Sequence, residues 1–390
     1  MKKAARLRRR LVGHLLDEGV LADPRWVDAF QTVPRHVFLP RFFTLSDGLW
    51  TAVDREDHGW LETVYSPAVL VTQLDDDPSR WDVARRSGPL PGTPSSSSSM
   101  PSIMAIMLEE LQVQDGHRVL EIGTGTGYNA ALLSHRCGAG QVSTMDIDAR
   151  LVETARGRLF DCGYQPSCAV GDGALGYPAG IRFDRLLCTA SVSSIPAAWL
   201  AQTVPGGLIV TTLNRPIGAG LIRIVVAEDG TGLGRVLARD GRFMPFRAHR
   251  FETPGPIPEP GENDWRSTEL PMDMVIHPRQ RFEFFAGLEL AGVRLVHERD
   301  GYDPNTLGSP FSSGIALVHA DGSWVRHRER RGRNEIAQGG PRALWDIAER
   351  AYADWCELGK PERDRFGVFV DGDRQEFWLD TPDGRTWPLR

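Results

Sequence analysis

Apolar positions in the first 45 residues recur at helical spacing. Leu11, Leu15 and Leu16 share one face, and Asp23-Pro24 opens a second helix carrying Trp26, Val27 and Phe30. Pro34 and Pro40 make the stretch Val33–Pro40 a rigid connector. Thr63 to Gln73 reads as extended. From Leu74 to Ser98 the pattern lapses into a long polar loop, of the kind that serves as a lid or stays disordered. Asp75–Asp77 within it are either solvated or face a substrate. Ser95 to Ser99 are all serine and precede an apolar helix, Ile103 to Leu111. The plain reading is a low-complexity linker. The chemical one is that serines cap the helix and set a hydroxyl cluster where an anion is favoured.

The period then changes. Val119, Leu120 and Ile122 form a short apolar run, a buried strand that stops at Gly123. Gly123, Thr124, Gly125, Thr126 and Gly127 alternate, and Ala130 to Leu133 begin a helix. Strand, glycine turn and helix open a nucleotide-type site, since glycines permit a tight turn and close backbone approach. The spacing is G-x-G-x-G behind an acid, Glu121. That is the variant of S-adenosylmethionine-dependent methyltransferases, whereas dinucleotide enzymes use G-x-G-x-x-G. A second strand, Gln141–Ile147, ends in Asp146, 19 residues beyond Gly127, where this architecture holds ribose hydroxyls. A third short strand precedes Val170-Gly171-Asp172-Gly173. Phe183–Thr189 is a fourth, and Leu200–Thr212 carries a helix end, a PGG turn and a fifth. The expected fold is α/β: a class I S-adenosylmethionine-dependent methyltransferase with a Rossmann-like doubly wound sheet.

Downstream, Leu221–Val226 and Leu233–Leu237 read as a hairpin, and Phe243–Phe246 as a last short strand. From about Pro254 the chain becomes linker-like. Beyond it come Arg281–Leu288, Val293–Val296, and a hairpin of Ile315–His319 with Trp324–His327. A helix follows over Pro341–Leu358, then a hairpin of Phe366–Val370 with Glu376–Leu379. The implied parts are a helical cap and strand (1–75), a substrate loop (76–98), the methyltransferase core (99–250), a linker (251–265) and an added α+β peptide-recognition domain (266–390). Arg326–Arg333 is basic and reads as a solvated face, with docking of an acidic peptide as the lesser alternative.

Composition adds limits. At 390 residues the chain exceeds one core. No apolar run approaches the roughly 18 residues of a membrane span. The basic start, MKKAARLRRR, lacks the apolar core of a secretion signal. The 5 cysteines are scattered without a CxxC pair, which fits a reducing cytoplasm and argues against bound metal. A formal net charge of −6 gives no general pull toward nucleic acid.

VPRHVFLP, Ser99-Met100-Pro101 before a helix, VLEIGTGTGYNAALL, VGDGALGYP, FDRLLCTAS and PGGLIV occur in order over about residues 10–250. Together they resemble the protein-L-isoaspartate O-methyltransferase family. Within it the chain is similar to enzymes that accompany ATP-grasp ligases in making ribosomal peptides (graspetides). The resemblance implies S-adenosylmethionine as cofactor. Gly123, Thr124, Gly125, Thr126 and Gly127 would wrap its methionine part with Glu121 nearby. Asp146 and Ile147 would serve the ribose side, while Asp172 and Gly173 would bracket adenine. Ser99 matches the family's active-site serine, with Ser97 and Ser98 beside it. Three departures from an ordinary repair enzyme stand out: the serine run, the 75–98 insertion and the C-terminal addition.

An aspartate carboxyl has a reference pKa of about 3.9, so at neutral pH it is already an anion and needs no general base. The enzyme's task is alignment, and hydroxyls orient an anion without neutralising it. The expected reaction is therefore O-methylation of an aspartate in a precursor peptide crosslinked by an ATP-grasp ligase, leading to an aspartimide. The alternative is L-isoaspartyl repair. A nucleic-acid amino-methyltransferase would want a D/N-P-P-aromatic motif where Cys188-Thr189-Ala190-Ser191 stands. A dehydrogenase lacks its glycine spacing here, and a non-catalytic peptide binder would not need intact Gly123–Gly127, Asp146 and Asp172.

Overall fold

The computed structural model describes residues 2–178, 180–250, 255–297, 315–372 and 374–389. They form two compact units. One comprises Met1–Ala190, Ile195–Thr211 and Arg223–Gly232; the other comprises Ser191–Ser194, Thr212–Ile222 and Leu233–Arg390.

The first unit opens with α1 (Lys2–Asp17), α2 (Pro24–Thr32) and α3 (Arg35–Phe38). Asp23 caps α2 by accepting from the Arg25 amide, with Pro24 in the first turn, as the Asp-Pro signal requires. A small sheet follows from β1 (Arg41–Ser46) and β2 (Leu49–Asp54). After α4 (Trp60–Val64) come β3 (Leu70–Leu74), α5 (Arg80–Ser87) and β4 (Pro94–Ser98), giving strand order β2-β1-β3-β4. Then come α6 (Pro101–Glu110), β5 (Val119–Ile122), α7 (Tyr128–Cys137), β6 (Val142–Asp146), α8 (Ala149–Asp161), β7 (Ser167–Val170), β8 (Phe183–Val192), α9 (Ala197–Gln202), β9 (Thr203–Leu213) and β10 (Leu221–Val226). The strand order is β10-β9-β8-β5-β6-β7. β5 runs parallel to both β6 and β8, and β6 parallel to β7. All four residues of β5 are buried, as a strand covered by helices on both faces must be. The chain winds from β5 to β7 on one side and returns to β8 on the other. The carboxyl ends of β5 and β8 therefore flank the switch point where such sheets bind ligands.

The second unit contains β11 (Gly232–Val236, all but its first residue), β12 (Arg266–Ser267), α10 (Met272–Ile276), α11 (Phe282–Glu289), β13 (Arg294–His297), β14 (Ile315–Val318), β15 (Trp324–Arg330), β16 (Arg333–Gly339), α12 (Leu344–Glu357), β17 (Phe366–Asp371), β18 (Arg374–Leu379) and β19 (Thr386–Pro388). One sheet runs β12-β16-β15-β14-β13. The hairpins expected from Ile315–His319 with Trp324–His327 and from Phe366–Val370 with Glu376–Leu379 form as β14–β15 and β17–β18, turning at Asp321-Gly322 and after Asp371. Its core is aromatic: Phe282 meets Tyr352 edge-on at 5.1 Å and Trp355 at 5.4 Å.

Several local expectations differ from what forms. The polar stretch 75–98 is not a structureless loop. It holds α5, whose Trp81 and Ala84 join Phe43, Trp50, Val71, Leu74 and Leu90 in a small apolar cluster. The serine run is a strand: β4 pairs antiparallel with β3, Leu70 opposite Ser98 and Val71 opposite Ser97. Its partner's β-prone sequence, LVTQL, decides the conformation against serine's own preference for turns. Accordingly the residue preceding α6 is Met100, without a side-chain cap, and the serines cap nothing there. Within Thr63–Gln73, Thr63 and Val64 finish a short helix. Phe243–Phe246 makes only an isolated bridge, Ser191 to Pro245. Residues 251–254, where the linker-like stretch begins, lie outside the described residues.

Phe282 is fully buried, so Phe282→Ala should cost about 3–5 kcal/mol in denaturant unfolding. A loss below about 1 kcal/mol would mean that the aromatic cluster does not hold this unit together.

Candidate active site

The glycine turn at the end of β5 calls for glycine at three positions. Gly123, Gly125 and Gly127 have φ of +99°, +51° and +87°, the left-handed region that favours glycine. A Cβ on Gly123 would fall 2.6 Å from the Thr189 hydroxyl, and one on Gly127 would fall 3.0 Å from the Ala155 Cβ. Thr189, within β8, donates to the carbonyls of Gly123 (2.9 Å) and Ile122 (3.2 Å). Gly127 precedes α7 with no side-chain cap. The amide of Tyr128, the first residue of α7, donates to Thr126 Oγ1 at 3.4 Å, and the helix N-terminus as a whole favours an anion. Thr124 and Thr126 are buried and turn their side chains into the protein.

Beneath the turn lies Glu121, fully buried, with no cation against it among the described residues. It accepts from Thr144 Oγ1 at 2.6 Å and Asn129 Nδ2 at 2.8 Å, and Thr144 in turn contacts Thr124 Oγ1 at 2.7 Å. Burial raises its pKa from 4.5 to about 7, outweighing the two hydrogen bonds that pull it down.

Asp146 closes the next strand. Its Oδ2 accepts from the Gly125 amide at 3.0 Å and its Oδ1 from the Asp148 amide at 3.1 Å. Asp148 caps α8 and receives Gln73 Nε2 at 3.3 Å. Large apolar side chains are left in solvent along this edge: Ile147 is 48% exposed, Val170 49% and Leu175 77%. Asp172 holds the following turn through the Ala174 amide (2.9 Å), and the Gly173 carbonyl is fixed by the Trp199 indole (2.8 Å). These features fit a nucleoside thioether. Glycine backbone and α7 amides suit a methionine carboxylate, Asp146 suits a diol, and the exposed apolar shelf suits a purine. Glu121, Gly123, Thr124, Gly125, Thr126, Gly127, Asp146, Ile147, Asp172 and Gly173 all lie on these carboxyl-end turns or directly beneath them.

The serine strand lies against the turn. The Ser97 carbonyl and the Ser96 hydroxyl sit 3.5 Å and 4.0 Å from where a Gly125 Cβ would be. Ser96 and Ser98 point inward, whereas Ser97 and Ser99 are only half-buried. Ser98 Oγ lies 3.5 Å from Arg35 Nη2, at the outer limit of a hydrogen bond, and the Ser99 carbonyl accepts from the same nitrogen at 3.1 Å. Arg35, Gln73, Ser96, Asn129 and Thr189 are parts of this arrangement that sequence reading did not single out. An arginine between Pro34 and Pro40 in an apolar stretch, and a threonine closing the apolar run Phe183–Thr189, were the available signals.

Two outcomes test this geometry. Gly123→Ala should weaken S-adenosylhomocysteine binding by calorimetry at least about tenfold, because alanine at this φ and this close to Thr189 is strained by about 1–3 kcal/mol. Glu121 has a folded pKa, about 7, above its ordinary 4.5. The native state therefore holds its proton more tightly, and the stability this confers is present below the unfolded value and lost as pH rises through the folded one. Glu121→Gln should flatten unfolding stability between about pH 5 and about pH 8, with a relative gain at the upper end on the order of 3 kcal/mol. Parallel profiles for the two proteins would show that Glu121 is ionised throughout.

Comparison with known proteins agrees with this geometry. Residues 83–240 match the family model for protein-L-isoaspartate(D-aspartate) O-methyltransferase. The protein-L-isoaspartate O-methyltransferase of Azorhizobium caulinodans is 38% identical over 173 residues, 44% of this chain and 78% of that protein. That of Methylorubrum extorquens is 34% identical over 220 residues, 56% of this chain and 79% of that protein. A solved protein-L-isoaspartate O-methyltransferase superposes with a TM-score of 0.53 at 21% identity, covering 96% of this chain and all of the other, which supports the fold. The chain belongs to the protein-L-isoaspartate O-methyltransferase family, protein carboxyl O-methyltransferases that use S-adenosylmethionine as methyl donor.

Proposed function

We propose that this protein methylates the free carboxylate of L-isoaspartyl residues in polypeptides. The observation that carries the reading is the serine strand seated on the glycine turn, with the Ser97 carbonyl 3.5 Å from the Gly125 Cβ position. Ser97, partly open, neighbours that turn through its carbonyl, and Ser99 follows two residues on, which supports the reading of their hydroxyls as acceptor-side groups. When bound, S-adenosylmethionine supplies an electrophilic methyl group. The residues of this chain then have one task, to hold the acceptor oxygen in line with it. The acceptor is already ionised at neutral pH, its reference pKa being about 4, so no base has to take a proton. Serine hydroxyls donate to the anion and fix its direction while leaving its charge in place. Alignment of this kind supplies about 7–11 kcal/mol in favourable cases. The ester product activates its carbonyl. The next backbone nitrogen can add to it and expel methanol, forming a succinimide that water opens.

A second reading has its own support. The two bacterial relatives match 44% and 56% of this chain, and the family model ends at residue 240. The α12-bearing unit lies largely beyond that limit. In this reading that unit selects one substrate, a precursor peptide crosslinked by an ATP-grasp ligase, and the succinimide (aspartimide) formed at one aspartate is the product. Neither nucleic acid nor membrane is a partner in either reading. Among the described residues no helix is long and apolar enough to cross a membrane.

The deciding experiment is mass spectrometry of two peptides incubated with enzyme and S-adenosylmethionine. One carries an isoaspartate, the other is a ligase-crosslinked, aspartate-bearing precursor. Methyl gain on the isoaspartyl peptide is the expected result. Methyl gain followed by net loss of water on the precursor alone replaces the first reading with the second. Ser99→Ala should lower methyl transfer at least about tenfold while S-adenosylhomocysteine affinity stays within about twofold. An unchanged rate removes Ser99 from the reaction.

A further inference from the structure

Arg35 is fully buried, and among the described residues no carboxylate pairs with it. Its donors go to main-chain oxygens instead. Nη1 reaches the carbonyls of Val64 (2.9 Å) and Ser66 (3.2 Å), and Nη2 those of Ala68 (3.3 Å) and Ser99 (3.1 Å). Its guanidinium carbon lies 5.8 Å from the ring centroid of Tyr128, the first residue of α7. One side chain thus joins three things: the 64–68 turn, the end of the serine strand, and the helix that starts at the glycine turn. Burying a cation without an anion is costly, and structures usually avoid it. Here the carbonyl dipoles, the Ser98 hydroxyl and the Tyr128 ring offset it, and Nε has no hydrogen-bond partner among the described residues. A clamp of equal geometry built from neutral donors would not carry that cost.

We propose that Arg35 is a positioning residue that holds Ser99 and supplies the positive field by which the site prefers an ionised carboxylate over a neutral acceptor. The inference rests on the carboxyl-methylation reading above. Its geometry separates two effects that a direct ion pair would combine. The N–H groups of both Nη atoms are aimed at carbonyls and Ser98, so they do not clamp the acceptor oxygen or blunt its attack. The charge itself is not used up, because amides and carbonyls bear no net charge. In a low-dielectric setting that charge acts over several ångströms. Lysine at this position would keep the charge but lose the planar fork that reaches four carbonyls at once.

The test compares wild type, R35K and R35Q on two peptide pairs, isoaspartyl against isoasparaginyl and aspartyl against asparaginyl. Inhibition constants give the preference for carboxylate over carboxamide, and kcat and KM are measured on whichever acid is methylated. S-adenosylhomocysteine affinity, expected within about twofold of wild type in both variants, verifies the cofactor half of the fold. Wild type should prefer the acid at least about tenfold. R35Q should reduce that preference to about twofold or less, mainly through KM. R35K should retain most of the preference but lower kcat, since Ser99 is no longer held. Hydrogen exchange should rise at residues 64–68 and 98–101 in both variants and stay unchanged at 123–127.

Two results overturn the proposal: an acid preference that survives in R35Q, or equal losses of kcat in R35K and R35Q with the preference untouched, the mark of a purely structural arginine. Should R35Q not fold, R35K decides alone. It must show retained acid preference with lowered kcat, and loss of the preference or an unchanged kcat rejects the assignment. Failure of the functional reading looks different. Wild type would then favour the aspartyl pair, and the effect of Arg35 is read there. If wild type binds neither pair, unchanged exchange at 98–101 in R35K and R35Q rejects the clamp, and the absent acid preference rejects the field.

Discussion

The space beside Gly123 is the constraint on which the site depends. With a Cβ position only 2.6 Å from the Thr189 hydroxyl, the turn at the carboxyl end of β5 closes directly on β8. Thr189 then ties the turn by donating to two of its carbonyls. That closure fixes where the amides of Gly125 and the start of α7 point. It also sets where Asp146 must lie to accept from the Gly125 amide. Further chain packs onto the same turn from the serine strand. From there the path runs by hydrogen bonds through Ser95 and Gln73 to Asp148 and back to Asp146. Acceptor-side and cofactor-side elements therefore share one hydrogen-bonded frame, and a displacement at either end reaches the other without passing through a flexible loop.

What could be read from the sequence follows from how locally each feature is determined. The glycine turn, Asp146 and Asp172 were legible because strand, turn and helix are adjacent in sequence and leave a pattern of φ-permissive residues and terminal acids. The hairpins at Asp321-Gly322 and Asp371-Gly372 were legible for the same reason. The serine strand was not. Nothing in five serines specifies a strand, and the pairing partner, Leu70–Leu74, lies more than twenty residues away, across a stretch that hides α5. α5 itself spans Arg80–Ser87 and buries only Trp81 and Ala84, too little periodicity to see among its glycine, proline and serine neighbours. Arg35 stayed hidden because its partners are carbonyls of residues 64–68 and 99, and a carbonyl has no sequence signature.

Buried charge separates the two units by purpose. In the second unit Glu283 is fully buried, but it accepts from Arg242 at 2.8 Å and the Gly218 amide at 2.6 Å, with Arg363 at 3.5 Å and Asp240 bonded to both arginines. Such a network is internally balanced. Removing one partner would leave the others uncompensated, so its role is to fix how α11 is held. In the first unit the two most deeply buried charged groups are unbalanced in opposite senses. Among the described residues Glu121 has hydroxyl and amide donors but no cation, and Arg35 has carbonyl acceptors but no anion. Stability alone favours neither arrangement, because each could be replaced by neutral groups of similar shape. A methyl-transfer site gives both a use. The donor is a cation and the acceptor an anion, and the two must be held together until the bond forms. A carboxyl that titrates at about 7 beneath the donor's turn and a cation without a counter-ion behind the acceptor's strand are groups such a site would use.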